Sequence, residues 1–185
     1  MIDNIKEEKI TKAKKMMLLF GLLSITMTFA GLTSAYIVSK GRPDWTLDFN
    51  LPTEFFFSTL IIVLSSITLF ISKNKLVNGK PINSVFIWIL ITFILGIVFI
   101  IFQFIGFNNI IDQGYYFAGA QSAIKTSFIY VLSFLHIVHL VAGLIVLIVL
   151  MVNTKKGKYV NNNLGFNLGS NFWHFLDFLW LYLFS

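Results

Sequence analysis

Four ionisable side chains lie within strongly apolar stretches of this sequence: His136, His139, His174 and Asp177. His136 and His139 are three residues apart, as are His174 and Asp177, so each pair shares one face if its stretch is helical. Ionisable groups in such surroundings are expensive and are functional candidates by default. Imidazole is a common ligand of metals and haem, and a carboxylate beside a histidine orients its ring. The chemistry to consider is therefore metal or haem binding, proton relay, or polar contacts between helices.

Depth along the helices argues against a haem held by two of these histidines. If the last apolar stretch begins near Asn171, His174 lies about 5 Å from that end, whereas His139 lies about 20 Å from the same side of its own stretch. Interhelical hydrogen bonds are therefore the preferred prediction for His136 and His139. For His174 and Asp177 we predict an intrahelical pair that satisfies itself. Metal ligation and a proton relay remain the alternatives.

Other catalytic arrangements find little support. Gln103 is a further polar side chain well inside an apolar stretch. The sequence has no cysteine, which excludes disulfides, thiolate zinc sites and iron–sulfur clusters. No Ser-His-Asp or Cys-His arrangement for nucleophilic catalysis can be assembled within reach of water. The sequence has no glycine-rich phosphate loop, and no pair of carboxylates stands in the apolar stretches. We therefore predict no catalytic residue, no metal ligand and no cofactor bound by this chain.

The composition is that of an integral membrane protein. Of the 185 residues, 57% are hydrophobic and 12% are charged, against about 25% charged residues in an average soluble protein. The mean hydropathy is +0.82. A soluble domain of this length could not build a polar surface from so few charges, and the apolar content excludes a disordered chain.

Five apolar stretches are long enough to be considered as membrane helices, which need about 20 residues. The predicted fold is all-α: a single bundle of five transmembrane helices in residues 16–185, preceded by a basic segment in residues 1–15. None of the stretches alternates with period two, which disfavours a β-barrel. The predicted spans cover about residues 16–38, 55–71, 85–107, 127–152 and 171–184.

The lysines predict the orientation. Eleven of them fall before the first span, between spans two and three, or between spans four and five, and only Lys40, Arg42 and Lys125 fall on the other side. This asymmetry predicts a cytoplasmic N-terminus and a periplasmic C-terminus. The basic charge is thus explained by topology and anionic lipid, not nucleic acid. The eleven are Lys6, Lys9, Lys12, Lys14, Lys15, Lys73, Lys75, Lys80, Lys155, Lys156 and Lys158.

Small residues within the spans predict close helix packing, because they let two backbones approach each other. In the first span they form two overlapping small-xxx-small pairs, and single glycines stand in the third and fourth spans. The predicted packing residues are Ala30, Gly31, Ser34, Ala35, Gly96 and Gly143.

Four sequence blocks together resemble one family. Residues 127–145, SFIYVLSFLHIVHLVAGLI, resemble the histidine-bearing helix of haem–copper oxidase subunit III. Residues 172–184, FWHFLDFLWLYLF, are similar to that family's last helix, with its WHF-x-D-x-x-W pattern. Residues 34–37 and 95–103 resemble two further helices in the same order. The resemblance covers the whole membrane part, and the family's shorter bacterial members have five helices.

The resemblance implies a subunit of a bacterial cytochrome c oxidase in the cytoplasmic (inner) membrane. Such a subunit holds no haem or copper, which lie in subunits I and II. It packs mainly on subunit I, binds phospholipid, and helps to sustain proton uptake and turnover. Subunit II, small subunits and a larger respiratory assembly are further partners that it implies.

Two positions depart from the family. Ile25 stands where relatives commonly carry a membrane-embedded glutamate, and Gly106 where they often carry another. A proton-related role that depends on those carboxylates is therefore not expected here, whereas a scaffold role is unaffected.

The resulting prediction is a non-catalytic subunit III that supports a proton-pumping oxidase. An accessory subunit of a quinol oxidase or nitric-oxide reductase is the nearest alternative. A b-type cytochrome membrane anchor is a more distant alternative, and a small transporter or channel is disfavoured by the scarcity of polar groups.

Overall fold

The structure, a computed structural model, describes residues 2–42, 52–114, 124–159 and 163–185. Within these ranges the chain forms five α-helices, as the sequence predicts. The helices are α1 (Ile2–Ser39), α2 (Glu54–Val77), α3 (Ile82–Asp112), α4 (Ile124–Lys155) and α5 (Leu164–Phe184).

Every helix is longer than the apolar stretch that predicts it. The basic segment is not separate, because α1 begins at Ile2 and runs through it without a break. The Lys, Glu and Ala residues there are good helix formers. At the other end, α5 begins at Leu164 instead of Asn171. Its first two turns contain glycine and asparagine, so this part of the helix is not an apolar run and was not included in the predicted span.

Within the described residues, four helices are long and apolar enough to cross a membrane: α1 from Lys6 onward, α2, α3 and α4. Helix α5 has 21 residues and is therefore about 31 Å long, close to the thickness of a hydrocarbon core. It falls short in hydropathy because it carries the polar residues Asn167, Ser170, Asn171, His174 and Asp177.

Helices α2 to α5 form a closed ring in which each packs on the next. The pairs are α2 with α3, α3 with α4, α4 with α5, and α5 with α2. Trp173 of α5 lies almost completely buried in the middle of this ring. Helix α1 stands outside, and among the described helices it contacts only α5 and α4. A small apolar cluster of Phe29, Leu132 and Leu179 fastens it there.

The small residues of the spans have two different environments. A Cβ on Gly96 would lie 2.8 Å from Trp173, and one on Gly143 would lie 2.8 Å from Leu176. Both glycines therefore sit at close helix contacts inside the ring. By contrast, Ala30, Ser34 and Ala35 are exposed, and a Cβ on Gly31 would meet nothing within 4 Å. These α1 residues are therefore not buried against the described helices, and their role in helix packing stays a prediction.

Candidate functional site

A line of buried hydroxyl groups runs along α2, and we call it the serine seam. It consists of Ser58, Ser65 and Ser72, each fully buried and seven residues from the next, together with the adjacent Thr59 and Ser66. From Ser58 to Ser72 the seam is about 21 Å long at 1.5 Å per residue. It therefore spans most of a hydrocarbon core.

At one end the seam binds α3 and α5. Gln103 Nε2 donates a hydrogen bond to Ser58 Oγ at 2.9 Å, and Trp180 Nε1 donates to Thr59 Oγ1 at 3.0 Å. Gln103 is fully buried, and Ser58 gives its amide nitrogen a hydrogen-bond acceptor on a neighbouring helix. The amide oxygen has no hydrogen-bond partner among the described residues.

In the middle the seam binds α5 through two adjacent residues. Trp173 Nε1 donates to Ser65 Oγ at 3.2 Å, and His174 Nδ1 lies 2.7 Å from Ser66 Oγ. Further along, Ser72 Oγ donates to the Val85 carbonyl at 3.0 Å. The seam thus connects α2 to α3 and α5 over its whole length, as hydrogen bonds do between membrane helices.

Sequence reasoning missed the seam because it searched the spans for ionisable groups. The available signal was the spacing of Ser58, Ser65 and Ser72, which places three small polar residues on one helix face. Hydroxyls of single serines are common in membrane helices and can bond their own backbone, as Ser65 also does to the Ile62 carbonyl at 2.7 Å. Only the seven-residue spacing of the three serines distinguishes the seam from such isolated serines.

The prediction of interhelical hydrogen bonds for His136 and His139 is wrong within the described part of the chain. His136 is fully buried, and neither ring nitrogen has a hydrogen-bond partner there. Its ring packs 5.1 Å from that of Trp180 and 6.0 Å from that of Phe99. His139 Nδ1 donates instead to the Leu135 carbonyl of its own helix at 2.7 Å. Both histidines therefore contribute packing, and His139 does so against Phe29 of α1.

His174 and Asp177 do not form the predicted self-satisfied pair. The imidazole of His174 turns to Ser66 on α2. Both oxygens of Asp177 are buried without a hydrogen bond to any described residue. The histidine thus joins two helices, while the carboxyl group has no hydrogen-bond partner among the described residues.

The longer α5 also changes the depth argument. Measured from Leu164, His174 lies about 15 Å along its helix, and His139 lies about 24 Å from Lys155 along α4. The difference of about 9 Å is smaller than the 15 Å expected. The two histidine rings contact different helices: His174 bonds Ser66 of α2, and His139 packs against Phe29 of α1. Among the described residues no group of three or more His, Asp or Glu side chains could hold a metal ion.

Comparison with known proteins identifies the family of this chain. The family model described as "Cytochrome c oxidase subunit III" matches residues 5–185. The chain belongs to the cytochrome c oxidase subunit III family. Its block with the WHF-x-D-x-x-W pattern, residues 173–180, is the part of α5 that packs along the serine seam. The resemblance of that block to the last helix of subunit III is thus confirmed at family level.

Individual relatives include subunits of two kinds of oxidase. The "Cytochrome bo(3) ubiquinol oxidase subunit 3" of Pseudomonas aeruginosa is 32% identical over 172 residues, covering 89% of this chain and 78% of the relative. The "Cytochrome c oxidase subunit 3" of Bacillus sp. strain PS3 is 30% identical over 165 residues, covering 86% and 77%. A bacterial, multi-pass membrane subunit that assembles with other oxidase subunits follows from family and fold.

The structure also explains one departure from the family. A Cβ on Gly106 would lie 2.7 Å from Phe55 Cε2, so the phenyl ring already occupies the space a larger side chain would need. Ile25, at the other departure, packs against the apolar cluster that fastens α1. At both positions the residue is in contact with apolar side chains of other helices.

Proposed function

We propose that the chain is the non-catalytic subunit III of a proton-pumping respiratory terminal oxidase. Its role is to support assembly and sustained turnover of the catalytic subunit I. The observation that carries this proposal is the family match over residues 5–185. The serine seam supports it, because these buried polar side chains hold helices together instead of assembling around a reaction centre.

The proposed arrangement has five crossings of the inner membrane. Helix α5 is the fifth, with a cytoplasmic N-terminus and a periplasmic C-terminus. The eleven lysines on one side support this orientation. The polar residues of α5 are compatible with a span because Ser170 and Asp177 face the bundle interior and His174 bonds another helix.

Phospholipid is the proposed bound ligand, and haem and copper belong to subunits I and II. Two grooves flank α1 near the end where its lysines lie. One, of about 690 Å³, is lined by Lys15 and Lys73 as well as apolar side chains, and the other, of about 620 Å³, is lined by Lys14. Lysines at the mouth of an apolar groove suit an anionic headgroup with acyl chains.

Cytochrome c is the proposed electron donor of the complex, and a quinol is the second candidate. The relatives from Bacillus sp. and Pseudomonas aeruginosa carry names of both kinds. Oxygen uptake by the purified complex with reduced cytochrome c or with a quinol separates the two. A nitric-oxide reductase would instead consume nitric oxide.

Deletion of this chain tests the proposed role. We expect the remaining complex to assemble less completely, or to lose activity over many turnovers faster than the intact complex. Affinity purification of the full chain in mild detergent should recover subunits I and II, with any small subunits or respiratory partners. Unchanged assembly, activity and persistence of activity after deletion would contradict the proposal.

A further inference from the structure

A pocket of about 390 Å³ lies where α1 and α5 end and α4 begins. Its walls come mainly from these three helices. Its inner end reaches Phe55, Leu132 and Trp180, which are all buried in the apolar interior. The volume is within the range of small-ligand sites.

The pocket and the two lysine-lined grooves lie at opposite ends of α1. The grooves are lined by α1 residues between 14 and 22, and the pocket by α1 residues between 33 and 40. Lys15 and Lys40 are 25 residues apart, which corresponds to about 37 Å along a helix. This length exceeds the thickness of a hydrocarbon core, about 30 Å, so the pocket lies at the other membrane surface.

Basic and hydroxyl side chains surround the pocket. The sequence places only three basic residues on this side, Lys40, Arg42 and Lys125, and Lys40 and Lys125 both line the pocket. None of the described lining residues is an aspartate or a glutamate. Two cations with hydroxyl donors and no carboxylate side chain suit a phosphate group. The hydroxyl groups of the lining belong to Thr33, Tyr36, Ser133, Tyr182 and Ser185.

Neutralisation of helix ends is the simpler role for these lysines. Cations are favoured at helix C-termini, and Lys40 directly follows the end of α1, with its ammonium group 5.2 Å from the ring centre of Tyr36. Lys125 is different, because it is the second residue of α4. There the positive end of its own helix dipole disfavours a cation. Helix ends therefore do not explain why both lysines line one cavity with an apolar interior.

We propose that this pocket binds an anionic phospholipid by its phosphate group, with one acyl chain beginning against the apolar inner wall. Inorganic phosphate offers the same charge but would leave the wall around Leu132 and Trp180 uncovered, so the wall favours the lipid. The site is additional to the two grooves of the proposed function and does not depend on the identity of the oxidase. Only the choice of leaflet, the outer one if the N-terminus is cytoplasmic, rests on the proposed orientation.

A single cysteine in the pocket reports its occupancy, because the chain has no other cysteine. Ile37 lines the pocket and is 62% exposed, so Ile37→Cys should fold and react with a maleimide in the purified, delipidated oxidase complex. We expect dioctanoyl phosphatidylglycerol to slow the labelling of this chain at least fivefold. Dioctanoyl phosphatidylethanolamine, which has no net charge, and inorganic phosphate should slow it much less.

The lysines are tested in the same background. With Lys40→Gln and Lys125→Gln together, the same protection should require about 25-fold more phosphatidylglycerol, since each lysine near a headgroup contributes about a factor of five. Arg42→Gln is the matched control. It removes the same charge on the same side, at a residue that does not line the pocket, and should leave the protection unchanged.

Equal protection by phosphatidylethanolamine, or by inorganic phosphate alone, would overturn the assignment to an anionic phospholipid. Equal protection in the lysine and Arg42→Gln variants would do the same, and would leave the lysines with helix ends only. No labelling of Ile37→Cys in the lipid-free complex would show that the assembly closes the pocket, which also overturns the proposal. If the double lysine variant does not assemble, the comparison of the three probes still decides. Unchanged oxidase activity after deletion of the chain would contradict the proposed function and leave the labelling result standing.

Discussion

Gly96 on α3 and Trp173 on α5 are packed so closely that a Cβ added to the glycine would lie 2.8 Å from the indole Cη2. Gly143 on α4 meets the same ring, with a would-be Cβ at 3.1 Å from Cε3. On its remaining side the indole donates a hydrogen bond to Ser65 of α2. One side chain of α5 thus contacts all three of the other helices in the ring.

Gly96→Ala is expected to destabilise the bundle by about 1–3 kcal/mol, because the fully enclosed indole cannot move aside. Thermal unfolding of the complex in detergent measures the change. Gly31→Ala is the control, since nothing lies within 4 Å of its would-be Cβ and alanine favours a helix by up to about 1 kcal/mol. Equal losses of stability in both variants would show that the indole contact is not responsible.

The bond between Gln103 and Ser58 should give a measurable coupling. Ser58→Ala leaves a buried amide without its acceptor, at an expected cost of about 1–3 kcal/mol. Gln103→Leu in the same background should recover part of this loss, because it removes the unpaired group. A double-mutant cycle of unfolding free energies provides the test. Strictly additive effects would mean that the two side chains do not interact.

Single cysteines can report the orientation, since the sequence contains none. Lys40, Lys80 and Lys156 are all exposed near helix ends. With a membrane-impermeant maleimide on intact spheroplasts, Lys40→Cys should be labelled and Lys80→Cys and Lys156→Cys should not. All three should react after permeabilisation, which controls for accessibility. The opposite labelling pattern would reverse the proposed topology.

Removing the two lysines of the larger groove should reduce bound anionic lipid. Each lysine near a membrane surface contributes about 1 kcal/mol of attraction to anionic headgroups. In the variant Lys15→Gln with Lys73→Gln we therefore expect several-fold less anionic phospholipid in the purified complex by mass spectrometry. Lys80→Gln, at a lysine that does not line the groove, should retain it. Equal lipid content in both would reject this groove as the site.

The sequence predicted the number and order of the helices because apolar length reflects the thickness of a bilayer directly. It misplaced the start of α5 by seven residues, since the first turns of that helix are polar or glycine. It also identified His136 and Asp177 as exceptional but assigned them the wrong contacts. Side-chain partners depend on which helices become neighbours. Nothing local in α5 specifies that the serines of α2 face it, and nothing local in α4 specifies that the His136 ring packs against Trp180.

The position of α1 also has a consequence for biogenesis. Among the described helices its contacts are with α4 and α5 only, and Leu164, where α5 begins, comes 125 residues after Ser39. At about 5–20 residues per second, synthesis of that length takes about 6–25 s. Among the described helices, α1 therefore waits longest for its contacts within this chain, because α2 to α5 each contact a helix next to them in sequence. Through that interval it is open to capture by chaperones, insertases or a neighbouring nascent subunit.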